Sequence, residues 1–447
     1  MATDRTTLTS QEREKASVFH SWSAQASISP FMVKSAHGSY VTDENDAAYL
    51  DFTSQLVNTN IGHQHPDVVR AIQEQAALLC TVAPQHGYVS RYTAAEMILD
   101  RSFEGAAKVF FTNGGTEAVE HAVRMARVFT GRHKVLAAYR SYHGATSTSM
   151  SLSGDPRRWP TDTATGGAVH FFGPFLYRSE FHATTEEEEC ERSLQHLENT
   201  IRFEGPTSVS ALILETVPGT AGIMPPPKGY LQGVRQICDR YGIVYIADEI
   251  MCGFGRTGSW FAFQHYDVLP DLVTFAKGVN SGYVPLGGVI LNEAISASFN
   301  DRVYPGGLTY SGHPLACASA IATIETMDRN GIIDNAKRIG DEVLRPGLEA
   351  LAEHHPIVGE VRGRGVFFAL DLVTDRASRE PLSPYASTSP AMTEIVAAAR
   401  AHGLLIPANF NRIHVVPPCT ITDEEAHEGL AKLDKALSVA DHYYVGK

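Results

Sequence analysis

Cysteine is scarce and scattered in this 447-residue chain: Cys80, Cys190, Cys238, Cys252, Cys317 and Cys419, with no CxxC pair. A disulfide framework or cysteine zinc site is therefore not expected, and a reducing cytoplasm suits the composition. No apolar run approaches the roughly 18–20 residues needed to span a bilayer, and residues 1–15 are polar, without the apolar stretch of a secretion signal. A basic surplus is also missing: 37 Lys+Arg stand against 50 Asp+Glu, a formal net charge of −13. That balance argues against nucleic acid or an anionic membrane as a partner. Two common signatures are absent, namely the GxxxxGK[ST] phosphate loop and the GxSxG nucleophile elbow. Internal repeats and low-complexity tracts are absent too. What remains, with 43% hydrophobic and 19% charged residues, is a soluble enzyme able to bury a sizeable core in two or three domains.

The middle of the chain alternates short apolar runs with helical patterns, which predicts crossover units and a mostly parallel sheet. Strands are expected at 109–111, 134–138, 209–214, 244–247 and 272–275, near-continuously apolar because both sheet faces must be covered. Helices are expected at 116–128, where Ala118, Val119, Ala122, Val123 and Ala126 recur at helical spacing, and at 230–241. From residue 361 the pattern changes to strands at 366–372 and 412–416 around a helix at 391–401, a smaller α+β unit. A hairpin over 40–52, turning at Asn45-Asp46, could join it. The acidic run 186–189 reads as a solvated helix start. His63-Gln64-His65 lacks a third ligand, so no metal site is expected.

Three strand ends carry chemistry. Thr112-Asn113-Gly114-Gly115-Thr116-Glu117 places a glycine pair between a strand and a helix start, where free N–H groups and the helix dipole favour an anion. The alternative is a plain capped turn. Asp248 directly follows the apolar run Val244-Tyr245-Ile246-Ala247, at the sheet edge where ligands bind in open α/β folds. Burial there raises a carboxylate's pKa unless a cation partners it, and a protonated pyridine nitrogen is such a cation. Lys277 ends another strand in Thr274-Phe275-Ala276-Lys277-Gly278; in apolar company a lysine has a lowered pKa and attacks carbonyls as the free amine, whereas most lysines are solvated charges. Together these are the parts a pyridoxal phosphate enzyme requires: an aldehyde-holding lysine, an aspartate for the pyridinium and an anchored phosphate.

At this point the sequence resembles the class III (ω-amino acid type) aminotransferases of the fold type I pyridoxal phosphate family, over residues 21–441. The resemblance rests on Tyr49-Leu50-Asp51-Phe52, Asn60-Ile61-Gly62-His63-Gln64-His65-Pro66, the 111–118 segment, Ser141-Tyr142-His143-Gly144, the run from Ala247 to Gly258, Ala276-Lys277-Gly278 and Thr309-Tyr310-Ser311-Gly312-His313-Pro314. It implies a mostly parallel seven-stranded sheet in a large cofactor-binding domain, 61–320, with a small α+β domain built from 1–60 and 321–447. It also implies a homodimer with shared active sites. Lys277 would hold the cofactor aldehyde and shuttle the substrate proton, and Asp248 would pair with the pyridinium. Ile250 and Tyr142 would pack the two ring faces, with His143 beside Tyr142. Gly115 and Thr116 would bind the phosphate, joined by Thr309 from the neighbouring subunit, and Glu215 resembles the family's acid near the ring hydroxyl.

Departures bear on the substrate. Met251 stands where 4-aminobutyrate and ornithine enzymes commonly carry Gln, which is closer to the ω-amino acid:pyruvate and taurine branches. Pro407 falls near the place of the mobile arginine of ω-transaminases and cannot bind a carboxylate. Arg412 and His414, two apart and so on one side of a strand, are candidates to replace it; the alternative is that Arg412 caps the strand or pairs with a surface acid. Trp22 matches the aromatic pocket wall or packs in the core. Val57 and Thr220 stand where many amine-accepting relatives have a Trp and a small residue. Arg256 is expected to hold its glycine-rich loop. The expected reaction is ping-pong transfer of an amino group from an ω-amino donor such as taurine or β-alanine to pyruvate or 2-oxoglutarate. An aminomutase, decarboxylase or racemase on the same scaffold, or a non-catalytic binding module, are the alternatives.

Overall fold

The computed structural model describes residues 7–161 and 167–446. β1 (Val33–His37), β2 (Tyr40–Asp43) and β3 (Ala48–Asp51) form an antiparallel meander. Its second turn closes because the Asp43 carboxylate accepts the N–H groups of Asn45 and Ala47, each at 2.9 Å.

The central sheet holds β4 (Ala106–Thr112), β5 (Lys134–Ala138), β6 (Ala168–Phe171), β7 (Val209–Glu215), β8 (Val244–Asp248), β9 (Leu272–Phe275) and β10 (Gly287–Asn292). Their order is β4-β10-β9-β8-β7-β5-β6, and β10 alone runs against its neighbours. β7 and β8 are buried along their whole length, and their side chains divide by alternation. Ala211, Ile213, Val244 and Ile246 pack with Ala118, Val119 and Ala122 of the helix Gly115–Thr130. Leu212, Leu214, Tyr245 and Ala247 pack with Leu231 and Val234 of the helix Tyr230–Tyr241 on the other face.

The rest of the chain gives β11 (Val358–Arg364), β12 (Phe367–Asp375), β13 (Glu380–Pro381), β14 (Leu404–Leu405), β15 (Ala408–Asn409) and β16 (Arg412–Val415). β14 pairs in parallel with β3, Leu404 beside Leu50 and Leu405 beside Asp51, so the N-terminal meander and the C-terminal segment share one sheet. The helix Asp423–Ser438 packs on the same junction: a Cβ added at Gly429 would lie 1.9 Å from Phe52 Cζ.

Two strands of the central sheet lay outside the sequence expectation. β6 is four residues long, and β10 opens with Gly287-Gly288, which reads as a loop. Those glycines are required by packing. A Cβ at Gly287 would come within 2.8 Å of Gly114 C, and one at Gly288 within 2.5 Å of the Phe275 ring. The acidic run does begin a helix, Glu186–Glu204, capped by Thr185. Glu189 is nevertheless buried, accepting from Phe175 N–H at 2.7 Å and from Ser179 Oγ, so the run is only partly solvated.

A Gly-to-Ala change inside a helix ordinarily stabilises by up to about 1 kcal/mol. Gly429→Ala should do the reverse, destabilising by about 1–3 kcal/mol through overpacking against Phe52, visible as a lower midpoint in thermal or denaturant unfolding.

Candidate active site

The C-terminal ends of β7, β8 and β9 open into a cavity of about 1060 Å³. Glu215 ends β7, Asp248 ends β8, and Lys277 follows β9 by two residues; all three line the cavity. Parallel strands deliver successive crossover loops to the same edge, which is why residues scattered over sixty positions of sequence meet here. Lys277 sits at φ +51° and its amine has no hydrogen bond or ion pair among the described residues. Burial lowers its pKa, against the opposing charges of Asp248 and Glu215. Burial raises that of Glu215, whose carboxylate accepts the N–H groups of Tyr142 at 3.0 Å and Gly219 at 2.8 Å.

Asp248 is held from two sides. One oxygen lies 2.7 Å from His143 Nδ1 and the other accepts the Ile250 N–H at 3.1 Å. His143 Nε2 is buried and unpartnered among the described residues, so a bound group or water is needed to satisfy it.

The phosphate-type cradle is present as geometry. Gly114 precedes the helix Gly115–Thr130 in extended conformation and supplies no side-chain cap, leaving the first N–H groups free at the cavity wall. Space beside Gly114 is open, whereas a Cβ on Gly115 would meet Ile250 Cδ1 at 2.7 Å. Gly115 is thus demanded by the close approach of Ile250 as well as by access to the backbone. Thr116 Oγ1 accepts the Ala145 N–H at 3.3 Å. A free helix N-terminus, a paired carboxylate and an unpartnered lysine in one cavity fit the phosphate, ring nitrogen and aldehyde of pyridoxal phosphate.

Of the remaining candidates, Tyr142, Ile250, His143, His414 and Trp22 line the cavity. Trp22 is 65% exposed in the single chain, not packed in the core. Thr309 is exposed and lies outside this chain's own cavity. Arg412 is also outside it: its guanidinium donates to the carbonyls of Ala221 and Asn409 and stacks over Phe410, so the strand-mate rule that put it beside His414 does not bring its charge to the cavity. Burial drives the His414 pKa down to about 3, leaving a neutral imidazole there. Pro407, Met251, Val57 and Thr220 all line the wall. Arg256 is fully buried and holds backbone and side chains around its loop, without reaching the cavity.

Sequence reasoning missed Arg157, the only arginine among the described residues lining the cavity. It lies in a single turn, Pro156–Arg158, with its guanidinium 3.6 Å from the Tyr142 ring centroid. Nε and Nη2 fork onto the Asp155 carboxylate, and Nη1 is left without a partner among the described residues. Its charge acts on Lys277. No motif marks it; its contact with Tyr142 and its place in the cavity wall single it out.

The comparisons agree with this geometry. The aminotransferase class-III family model matches residues 22–437. The taurine–pyruvate aminotransferase of Bilophila wadsworthia is 31% identical, covering 96% of this chain and 97% of that one. The chloroplastic gamma aminobutyrate transaminase 3 of Solanum lycopersicum is 33% identical over 92% of this chain and 81% of its own length. The solved taurine:2-oxoglutarate aminotransferase of Bifidobacterium kashiwanohense, in complex with PLP and glutamate, superposes with a TM-score of 0.94 at 40% identity, covering 97% of this chain and 98% of that one.

The lowered Lys277 pKa sets a pH profile. Cofactor-free protein should take up pyridoxal phosphate at a rate that rises with pH as the amine loses its proton and levels off below the ordinary lysine value of about 10.4. Stopped-flow absorbance across pH measures this; a rate still climbing through that value would contradict it.

Proposed function

The chain belongs to the class-III aminotransferases, and we propose that it moves an amino group from a terminal amine carrying an acid group at its far end, of the taurine or β-alanine kind, to a 2-oxo acid, pyruvate or 2-oxoglutarate. The observation that carries this reading is Arg157 in the same cavity as Lys277 and Asp248. A guanidinium with a free N–H edge suits a sulfonate or carboxylate, and with Pro407 in the wall and His414 neutral no other cationic side chain among the described lining residues is free to hold one.

The family uses pyridoxal phosphate, which when bound supplies an aldehyde and an electron sink. Lys277 is the residue that would hold that aldehyde, and its neutral amine would be the base that moves the proton at the amine-bearing carbon. Asp248 would keep the pyridine nitrogen protonated, its carboxylate orientation fixed by the His143 contact. Gly115 and Thr116 at the helix N-terminus would hold the phosphate, and Thr309 would reach it from a neighbouring subunit in a homodimer. Tyr142 and Ile250 pack the ring, and Glu215 stands near its hydroxyl. Trp22 and His414 shape the substrate end. Donor and acceptor occupy the same anchor in turn, as ping-pong transfer requires. No helix among the described residues is long and apolar enough to cross a membrane, which is compatible with the cytoplasmic location inferred from composition.

Adding taurine or β-alanine without acceptor should bleach the visible band of the lysine-bound cofactor; a band that stays through a wider amine panel would favour the aminomutase or decarboxylase alternative. Lys277→Ala should abolish turnover with the fold retained, and Asp248→Ala should slow it by roughly 10²-fold or more as electrostatic support for the ring is lost. Near-normal turnover in either would place the chemistry elsewhere. Arg157→Met should raise KM for acid-bearing donors by about ten- to a hundredfold, the worth of a charged hydrogen bond, while leaving a simple alkylamine unaffected. Equal losses on both donor types would remove Arg157 from acid recognition.

A further inference from the structure

Six non-glycine residues lining the cavity hold φ in the left-handed region: Trp22, Gln55, Val57, Lys277, Ala386 and Phe410. Side chains with a Cβ visit that region at a cost, greatest for a β-branched residue such as Val57. The strain is densest at 54–57, where Ser54 (φ 41°), Gln55 (φ 60°, ψ −96°) and Val57 (φ 57°) flank Leu56. Four successive residues, Gln55 to Asn58, line the cavity. Something outside must hold this segment, because its own preferences would unwind it.

Asp51, fully buried at the end of β3, is what converges on it. One carboxylate oxygen accepts the Thr53 N–H at 2.9 Å and the Thr53 hydroxyl at 2.5 Å. The other accepts Gln55 Nε2 at 2.9 Å and the Gln55 N–H at 3.3 Å, and lies 2.9 Å from His63 Nε2. Burial pushes the Asp51 carboxyl up, but these bonds outweigh it and hold its pKa below the ordinary aspartate value, so it is an all-acceptor anion. From the far side Arg256 Nη2 donates to Ser54 Oγ at 3.1 Å and Asn60 Oδ1 at 2.8 Å, and Ser54 Oγ donates to the Val416 carbonyl at 2.6 Å. Neither Asp51 nor Arg256 lines the cavity.

We propose that Asp51 is a positioning residue for the transamination site: with Arg256 it holds the 54–57 backbone in a strained conformation, so that Gln55, Leu56 and Val57 stand as a preformed wall of the substrate cavity. This rests on the cavity being the place where donor and acceptor bind. The β3–β14 pairing places Asp51 at the junction of the N- and C-terminal segments, so the wall is set by the small-domain sheet while Lys277 and Asp248 are set by the large one. Substrate fit and cofactor chemistry are therefore separable by mutation.

The test uses the cofactor-loaded enzyme. Asp51→Asn replaces one acceptor oxygen by an N–H₂ group facing other donors. It should raise KM for the amino donor by about tenfold or more through misplacement of the wall, with the cofactor band unchanged and kcat at saturation within about threefold. A KM within twofold of wild type overturns the proposal. So does a parallel loss of cofactor band and kcat, which would mean that Asp51 only holds the fold.

A second pair of variants reads the strain itself. Gln55→Gly and Gln55→Ala both delete the side chain, but only glycine takes φ +60° freely, so Gln55→Gly should melt several degrees above Gln55→Ala. Outside strained positions the order is the opposite, and the opposite or an equal order overturns the claim. If Asp51→Asn does not fold, this melting order and the donor KM of the Gln55 pair decide. A wild-type enzyme inert to every donor would sink the transaminase reading alone, since the melting order is independent of turnover.

Discussion

Desolvation of charge at one edge of a parallel sheet is the constraint around which this protein is arranged. Glu215, Asp248 and Lys277 all emerge at the C-terminal ends of buried strands, where an ion loses most of its water and must be compensated or shift its pKa. Each meets this differently. Glu215 is met by two backbone N–H groups, and Asp248 by one backbone N–H and the His143 ring. Lys277 is left without a direct partner, and burial answers by favouring its neutral amine. A lysine made nucleophilic by an incomplete environment, beside a carboxylate whose environment is nearly complete, is an asymmetry suited to an electrophilic cofactor that bonds to one and pairs with the other.

The same accounting explains the buried cations. Arg256, Arg362 and Arg412 are all buried, and each donates to at least one backbone carbonyl of a separate segment. Arg362 donates to the Gly222 carbonyl and pairs with Asp371, while Arg412 takes Ala221 and Asn409. The 219–222 loop is thus gripped from the sheet that holds β11 and β16. A Cβ at Gly222 would lie 2.6 Å from both guanidinium-bearing side chains, so the grip leaves no room for another residue. That loop carries Thr220 into the cavity and the Gly219 N–H onto Glu215. The C-terminal sheet and the 219–222 loop therefore meet through fixed hydrogen bonds at the rim of the site, where an arginine's planar fork serves better than a lysine's single point.

Much of this was legible in the sequence because it follows from period and punctuation. The strands at 134–138 and 272–275 and the helix at 230–241 fall where apolar runs and helical spacing place them. The strand-end positions of Asp248 and Lys277 follow from the same reading, and the glycine pair before residue 116 marks the helix start. What escaped is set by tertiary contact. β10 was hidden because its glycines answer to Gly114 and Phe275, not to local propensity. Arg157 was hidden because a three-residue turn has no periodicity. Arg412 was misplaced because alternation along a strand fixes the side on which a side chain leaves, not where a long guanidinium ends.

The acid anchor proposed at Arg157 would also change what dual substrate specificity requires here. An enzyme whose acid anchor swings aside can accept apolar donors and charged acceptors in turn. In this chain Pro407 stands near the place of such a swinging arginine, and Arg157 is pinned by the Asp155 fork and the Tyr142 ring. A pinned anchor would favour partners that all carry an acid group, so donor and acceptor would be selected by the distance from that group to the reacting carbon. A wall held under strain, as at 54–57, is what makes such a distance selective: a flexible wall would absorb a change in substrate length, whereas one held from outside the cavity imposes it as a loss of fit.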